Sequence, residues 1–213
     1  MSPTIAFWEK RILAWEKRRY SHPLFLPLYW NLRKRLRITL KMLESLAPEN
    51  ASVLELGCGS GILASRISCG KYLGVDTASA AIKRAEARFV GANFAFRQAN
   101  ALDVAGESCE FDITAFLGLT DWLSENETSA LFSSLRSPTI LFSYTEAATA
   151  RPWQPYSIYR NVFDRFIQKN AIRARSMAGA EIDRLLARSG YRVKFRTRAS
   201  FLNPSRVICA EKA

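Results

Sequence analysis

From Ser52 onward, short apolar runs typical of buried strands alternate with segments whose apolar residues recur at helical spacing. The predicted strands cover 52–56, 72–76, 93–97, 112–117, 138–143, 191–197 and 206–210, and the predicted helices cover 61–68, 78–89, 125–134, 157–170 and 179–188. This alternation predicts a parallel sheet with helices on both faces. The last two strands follow each other directly, which predicts a terminal antiparallel hairpin. The expected fold is therefore α/β, a doubly wound, mostly parallel seven-stranded sheet.

Two further helices are predicted before the sheet, over 4–19 and 28–46, with Pro23 and Pro27 separating them. The second carries leucines at spacings of three and four, surrounded by arginine and lysine. Residues 1–49 are therefore interpreted as an N-terminal helical extension, which either covers the site as a lid or contacts substrate or an anionic membrane. Residues 50–213 form the main domain.

The most informative segment is V-L-E-L-G-C-G-S-G, from Val53 to Gly61. It reads as a strand that runs into a turn with glycine at alternate positions, and glycine permits positive φ and leaves no Cβ between the main chain and a ligand. The amides at the start of the predicted helix after the turn would favour electronegative ligand atoms. Ile62 stands where a dinucleotide-binding turn needs its last Gly or Ala, so the fingerprint of hydride-transfer enzymes is not matched.

A second feature is the carboxylate of Asp76, which ends the next predicted strand. A strand–helix–strand unit places an acid at this point beside a ribose, and a carboxylate can accept hydrogen bonds from two neighbouring hydroxyls. The structural alternative is that Asp76 or Thr77 caps the helix that follows. Both roles are compatible.

Together the glycine turn and Asp76 resemble the first two motifs of class I methyltransferases that use S-adenosylmethionine. The resemblance implies this cofactor and a binding set made of Glu55, Gly57, Cys58, Gly59, Gly61, Asp76, Thr77, Asn100, Ala101 and Leu117. Asn100 and Ala101 stand where the family commonly has Asp-Ala near the adenine amine, with Asp103 as the competing candidate. Glu55 would support the turn and the methionine end of the cofactor, or would be a half-buried acid without ligand contact.

The same resemblance matches Phe111–Leu123 to the family's fourth motif, which opens toward the methyl acceptor. Leu117–Thr120 replace the Asn- or Asp-Pro-Pro-Tyr turn of enzymes that methylate planar amines, and a Pro-Cys pair for cytosine chemistry is absent from the sequence. Leu117–Leu123 is similar to a stretch of magnesium-protoporphyrin methyltransferases. The two missing motifs leave oxygen or nitrogen of a small or lipid-like acceptor, and we expect it to bind in an insertion at about 146–178.

Methyl transfer is an in-line displacement, so positioning can supply most of the acceleration and a base is needed only where the acceptor loses a proton. The catalytic candidates are Asp121, Tyr144 and, if the N-terminal helices fold over the site, His22. Glu146, Tyr156 and Tyr159 are further candidates. The structural alternatives are that Asp121 caps a helix and that the tyrosines only shape a pocket.

The charge of the chain is strongly positive and unevenly distributed. The net charge is +12, made of +6 for residues 1–50, −4 for 51–150 and +10 for 151–213. Basic flanks of this size indicate an anionic acceptor, with an anionic membrane, RNA or a merely solvated surface as alternatives. An RNA-directed methyltransferase and a non-catalytic module that binds the cofactor or a partner therefore remain open.

The remaining composition constrains compartment and metal chemistry. The four cysteines show no C-x-x-C spacing and there is one histidine, so neither a zinc site nor a disulfide framework is expected. The sequence has no long uncharged apolar run and no secretory signal at its start. A cytoplasmic protein is expected, with peripheral membrane contact left open.

Overall fold

The computed structural model describes residues 3–17, 27–46, 50–89, 91, 93–147, 158, 174–197 and 204–213. The helices are α1 (Pro3–Glu16), α2 (Pro27–Leu46), α3 (Ser79–Arg88), α4 (Ala101–Val104), α5 (Glu125–Ser134) and α6 (Gly179–Arg188). The strands are β1 (Ser52–Leu56), β2 (Lys71–Asp76), β3 (Phe94–Gln98), β4 (Ile113–Leu117), β5 (Thr139–Thr145), β6 (Tyr191–Arg196) and β7 (Ser205–Lys212). Short 3₁₀ helices cover Ala64–Arg66, Ala105–Glu110 and Thr120–Trp122.

The seven strands form one sheet in the order β3-β2-β1-β4-β5-β7-β6. Strands β1 to β5 are parallel, whereas β7 lies antiparallel between β5 and β6. The predicted fold class and terminal hairpin are therefore confirmed, and every predicted strand is present within two residues at each end. Strand order reverses beside β1, which places a crevice at the carboxyl ends of β1 and β4.

The predicted helix over 61–68 is wrong. The chain there forms turns and the single 3₁₀ helix Ala64–Arg66, and Ile67 is extended. Two local causes are visible: Gly61 holds a φ of 75°, outside the helical range, and Ser65 Oγ donates to Ile62 O at 2.9 Å, which competes with helical hydrogen bonding. The amides expected at a helix start after the turn are therefore not arranged as a regular helix N-terminus.

Other helix predictions divide between those confirmed and those outside the described residues. The helices predicted over 78–89, 125–134 and 179–188 correspond to α3, α5 and α6, and 28–46 corresponds to α2. The predicted helix 157–170 and most of the insertion at 146–178 lie outside the described residues. Within the part of the chain that is described, no helix combines the length and apolar character that a membrane crossing requires.

Apolar side chains cover both faces of the sheet, as a doubly wound fold requires. On one face Leu54, Phe116 and Phe142 pack beneath α4, α5 and α6. On the other, Val53, Ala115 and Leu141 pack against Leu36 and Leu43 of α2. Because side chains alternate along a strand, Glu55 faces the α2 side of β1, as do its neighbours Val53 and Tyr72.

Candidate active site

The glycine turn folds back onto the end of β2. Gly57 N and Cys58 N both donate to Val75 O, at 2.7 and 3.0 Å. Gly57, Gly59 and Gly61 have φ values of 75°, 54° and 75°, in the left-handed region that favours glycine. A Cβ on Gly61 would lie 2.9 Å from the Phe89 ring, so this glycine serves packing. Gly59 and Ser60 are buried, and their amides donate to side-chain carboxylates instead of to the sheet.

Asp76 lies directly beside this part of the turn. Its Oδ2 accepts from Gly59 N and its Oδ1 accepts from Ala78 N, both at 2.9 Å. The second contact serves the start of α3, whose N-cap is Ala78. Burial raises the pKa of Asp76, against the hydrogen bonds that lower it. Each oxygen retains acceptor capacity, so the predicted ribose contact is chemically compatible with the capping one and stays a prediction.

Helix α1 covers the turn through two glutamates. Glu16 Oε1 accepts from Ser60 N at 2.9 Å, and Ser60 Oγ donates to Glu16 Oε2. A Cβ on Gly59 would overlap Glu16 Oε1, so this carboxylate fills the space that glycine leaves. Glu9, two helical turns earlier, accepts from Ser79 N at 2.7 Å and from Ser79 Oγ at the start of α3. The helix therefore lies across both main-chain donors.

Three carboxylates converge beneath and beside the turn. Glu55 is buried and accepts from the Tyr72 hydroxyl. Burial, together with the charges of Asp76 and Glu16, raises the pKa of Glu55 to about 8, against the hydrogen bond from Tyr72, which lowers it. Burial also raises the pKa of Glu16 and of the Cys58 thiol. The site thus concentrates acids whose ionisation a positively charged ligand would favour.

The predicted adenine side lies next to Asp76. Ala99 N donates to Asp76 O at 3.1 Å, which brings the end of β3 to the end of β2. Asn100 Oδ1 accepts from Leu102 N at 3.1 Å and caps α4. Thr77 O accepts from Gln98 Nε2 at 3.1 Å, and Ala101 is buried. These residues are together at the same edge, and their contacts with adenine remain a prediction.

The end of β4 joins the glycine turn to the predicted acceptor side. Leu117 ends the strand, and the Leu119 side chain packs on Gly57, 3.5 Å from where a Cβ on that glycine would lie. Trp122 follows in the short 3₁₀ helix, and its ring meets Trp8 of α1 edge to face at 4.9 Å. Helix α1 therefore reaches from the glycine turn to the segment after β4.

Three of the catalytic candidates lie within the described residues, and each is bound by other protein groups. Asp121 Oδ1 accepts from Thr145 N at 2.9 Å and Oδ2 accepts from Thr145 Oγ1 at 3.1 Å. Tyr144 is buried, donates to Glu146 Oε2 at 3.0 Å, and burial raises its pKa. Glu146 also accepts from Gly179 N at 3.0 Å and pairs with Arg206 at 2.6 Å. His22, Tyr156 and Tyr159 lie outside the described residues.

Sequence reasoning missed three residues at this edge: Glu9, Glu16 and Arg35. Glu9 and Glu16 are seven residues apart on α1, which puts both on one helical face, and Trp8 and Trp15 share the same spacing. This repeat is the signal that could have identified them. Arg35 lies against Gly118, and no sequence pattern distinguishes it from the other basic residues of α2.

Comparison with known proteins gives one family and many similar structures. Residues 53–138 match the family model described as a methyltransferase domain. Magnesium protoporphyrin IX methyltransferase from Synechocystis PCC 6803, with bound S-adenosylhomocysteine, is 16% identical, with 98% of this chain and 97% of that chain covered at a TM-score of 0.75. No curated protein matches the sequence.

Two further structures have the same fold. A methyltransferase from Methanosarcina mazei is 18% identical, covering 80% of this chain and 96% of that chain at a TM-score of 0.62. The methyltransferase domain of bacterial CtHen1 is 19% identical, covering 84% and 97% at 0.65. Residues 53–138 therefore match a methyltransferase domain, and the chain shares its fold with solved S-adenosylmethionine-dependent methyltransferases. The activity that these findings support is that of an enzyme whose cofactor is S-adenosylmethionine.

Proposed function

We propose that the cofactor lies on Gly59 and Ser60 with its ribose at Asp76, and that the acceptor is a small or amphipathic anion. The observation that carries the placement is the bare main chain at Gly59, whose amide and that of Ser60 donate only to side-chain carboxylates. These amides can therefore donate to a ligand without the loss of any hydrogen bond between strands. Gly57, Cys58, Thr77, Asn100, Ala101 and Leu117 line the same edge and complete the proposed set.

The bound cofactor would supply a methyl group on a positively charged sulfur, which a nucleophile takes in line as the neutral thioether leaves. The chain's own part is to orient the two partners and to favour the positive charge. Burial raises the pKa of Glu55 and of Asp76 beside the turn, so a bound cation would favour their ionised forms and would in turn be stabilised by them. Leu117 and Leu119 at the end of β4 separate this half from the acceptor half.

A general base at Asp121 or Tyr144 remains part of the proposal only for acceptors that lose a proton. Both groups already serve hydrogen bonds within the protein. An acceptor whose nucleophile is already ionised needs no base, so its methylation depends on positioning alone. This favours an anionic oxygen nucleophile over a neutral alcohol or amine.

The N-terminal extension is proposed to act as a lid on this site. Glu16 contacts the Ser60 amide and hydroxyl, and Glu9 contacts Ser79, while Trp8 packs on Trp122. Cofactor that lies on Ser60 must therefore take the place of the Glu16 carboxylate. Withdrawal of Glu16, by a side-chain rotation or by movement of α1, is then part of cofactor entry.

Titration calorimetry with S-adenosylhomocysteine tests the cofactor placement. Asp76→Ala removes the acceptor for the ribose hydroxyls, and we expect its dissociation constant to rise at least about tenfold, or 1.4 kcal/mol. Glu86→Ala, an exposed position on α3, is the matched control and should bind as the unaltered chain does. Equal affinity in the Asp76 variant would remove this residue from the site.

Transfer of a labelled methyl group tests the acceptor class. The protein is incubated with methyl-labelled S-adenosylmethionine and cell extract, which is afterwards divided into an organic-extractable fraction and RNA. Magnesium protoporphyrin IX, named for the Synechocystis neighbour, is a first purified probe. We expect label in the organic fraction. Label confined to RNA, with binding that falls steeply as salt rises, would instead support the RNA-directed alternative that the charge of +12 raises.

A further inference from the structure

Arg35 of α2 occupies an unusual place for an arginine. It is 6% exposed, and it precedes Leu36, which packs on the sheet. Its guanidinium lies on Gly118, the residue that follows β4: a Cβ on Gly118 would be 2.7 Å from Nη1 and 3.2 Å from Nη2. Gly118 has a φ of 75°, so the backbone turns away there and leaves room for the guanidinium plane.

This buried cation has no acceptor within the described part of the chain. Neither a hydrogen bond nor an ion pair joins Arg35 to the described residues. The nearest acid along the segment after Gly118 is Asp121, whose two oxygens accept from Thr145. A buried charge without a partner lowers the stability of a protein, so such a residue indicates a function. The partner is therefore expected from outside the described residues, and a bound ligand can supply it.

The position of Arg35 indicates where such a partner would lie. Gly118 is followed by Leu119, whose side chain packs on Gly57 of the glycine turn. Gly118 thus stands between the cofactor turn and the acceptor side, at the carboxyl edge of the sheet where ligands of this architecture bind. A guanidinium presents two parallel N–H donors that match a carboxylate in charge and in geometry.

We propose that Arg35 binds a carboxylate of a bound ligand at the end of β4. This inference rests on the proposed placement of the cofactor and acceptor. Two sources can supply the group: the amino-acid end of the cofactor, or an anionic acceptor. Among the basic residues of α2, Arg35 then binds the ligand, whereas exposed residues such as Arg37 face solvent.

Two pairs of ligands, each with and without a carboxylate, test the proposal by calorimetry. The first pair is S-adenosylhomocysteine and 5′-methylthioadenosine, which lacks the amino-acid end. The second pair is 2-naphthoate and 2-naphthamide, and its affinities are measured on the free protein and on the protein with bound S-adenosylhomocysteine. The variants are Arg35→Gln and the control Arg37→Gln. Thermal unfolding checks that each variant is folded. If Arg35→Gln does not fold, Arg35→Lys replaces it, because lysine keeps the positive charge and lacks the two parallel N–H donors.

We expect Arg35→Gln to weaken one carboxylate ligand about tenfold or more and its neutral counterpart less than about twofold. Loss confined to S-adenosylhomocysteine assigns Arg35 to the cofactor, and loss confined to 2-naphthoate assigns it to the acceptor. Equal losses within a pair, no loss in either pair, or an unaltered chain that prefers neither carboxylate would overturn the proposal. If the unaltered chain fails to bind either nucleoside, the cofactor placement is wrong, and the naphthoate pair still decides the role of Arg35.

Discussion

Carboxylates accept hydrogen bonds from main-chain amides in both halves of the carboxyl edge of the sheet, but the two halves differ in which parts of the chain these bonds join. At β1 and β2, main-chain amides of Gly59 and Ser60 donate to side chains, one of which comes from the separate helix α1. At β4 and β5, Asp121 and Glu146 are fixed by Thr145, Gly179 and other internal groups. The first half offers donors that a ligand can take over. In the second half, the carboxylates join segments of the protein to one another and so set the shape of the proposed acceptor side.

Gly59→Ala is expected to have the largest effect, because the added Cβ projects into the space that Glu16 now fills. We expect S-adenosylhomocysteine to bind at least about 100-fold more weakly, which is about 2.8 kcal/mol. The positive φ adds about 1 kcal/mol of destabilisation of the fold. The control is Gly106→Ala, where a Cβ meets nothing within 4 Å. Titration calorimetry measures both, and unchanged affinity in the Gly59 variant would show that the ligand lies elsewhere.

Asp121→Asn should weaken the contact between Asp121 and Thr145, because an amide group replaces one of the two oxygens that accept from Thr145. We expect the free energy of unfolding to fall by about 2 kcal/mol, with nucleoside affinity changed less than twofold. Chemical denaturation measures the loss, and Glu110→Gln, at an exposed position, is the control. A variant that keeps its stability but loses its turnover would instead make Asp121 a catalytic base.

Glu55, in the half formed by β1 and β2, makes the free energy of unfolding depend on pH. Its pKa is raised from 4.5 to about 8 in the folded protein, so the unfolded chain releases a proton that the folded one keeps. The contribution to stability is complete below pH 4.5 and is lost as the pH rises to about 8. Glu55→Gln should therefore flatten the fall in stability over this interval. Because burial raises the pKa of Glu16 and Asp76 in the same direction, some slope should remain.

Denaturation at a series of pH values from 5 to 8 measures this slope. Tyr72→Phe is the companion variant, since it removes the hydroxyl that donates to Glu55 and lowers its pKa. It should steepen the same fall. Equal slopes in Glu55→Gln and the unaltered chain would show that Glu55 keeps an ordinary pKa.

Glu16→Ala should have the smallest effect, and in the opposite direction. Without this carboxylate the Ser60 donors are open, so S-adenosylhomocysteine should bind about three- to tenfold more tightly. Glu44→Ala, on the exposed face of α2, should change nothing. Weaker binding in the Glu16 variant would contradict the lid and would make Glu16 a direct ligand contact.

The same contrast explains what the sequence could predict. The half formed by β1 and β2 depends on local features, glycines in a turn and an acid at a strand end, so its elements and their placement were predictable. The helix over 61–68 was mispredicted because Ser65 and the positive φ of Gly61 act against a weak helical pattern. Glu16 and Arg35 were missed because their partners, Ser60 and Gly118, lie far away in the chain.

The structure of the complex with S-adenosylhomocysteine tests the central claim most directly. We predict that the nucleoside lies on Gly59 and Ser60, that its ribose hydroxyls donate to Asp76, and that Glu16 no longer accepts from Ser60. A complex in which Glu16 still holds the Ser60 amide, with the nucleoside bound at another place, would contradict the account.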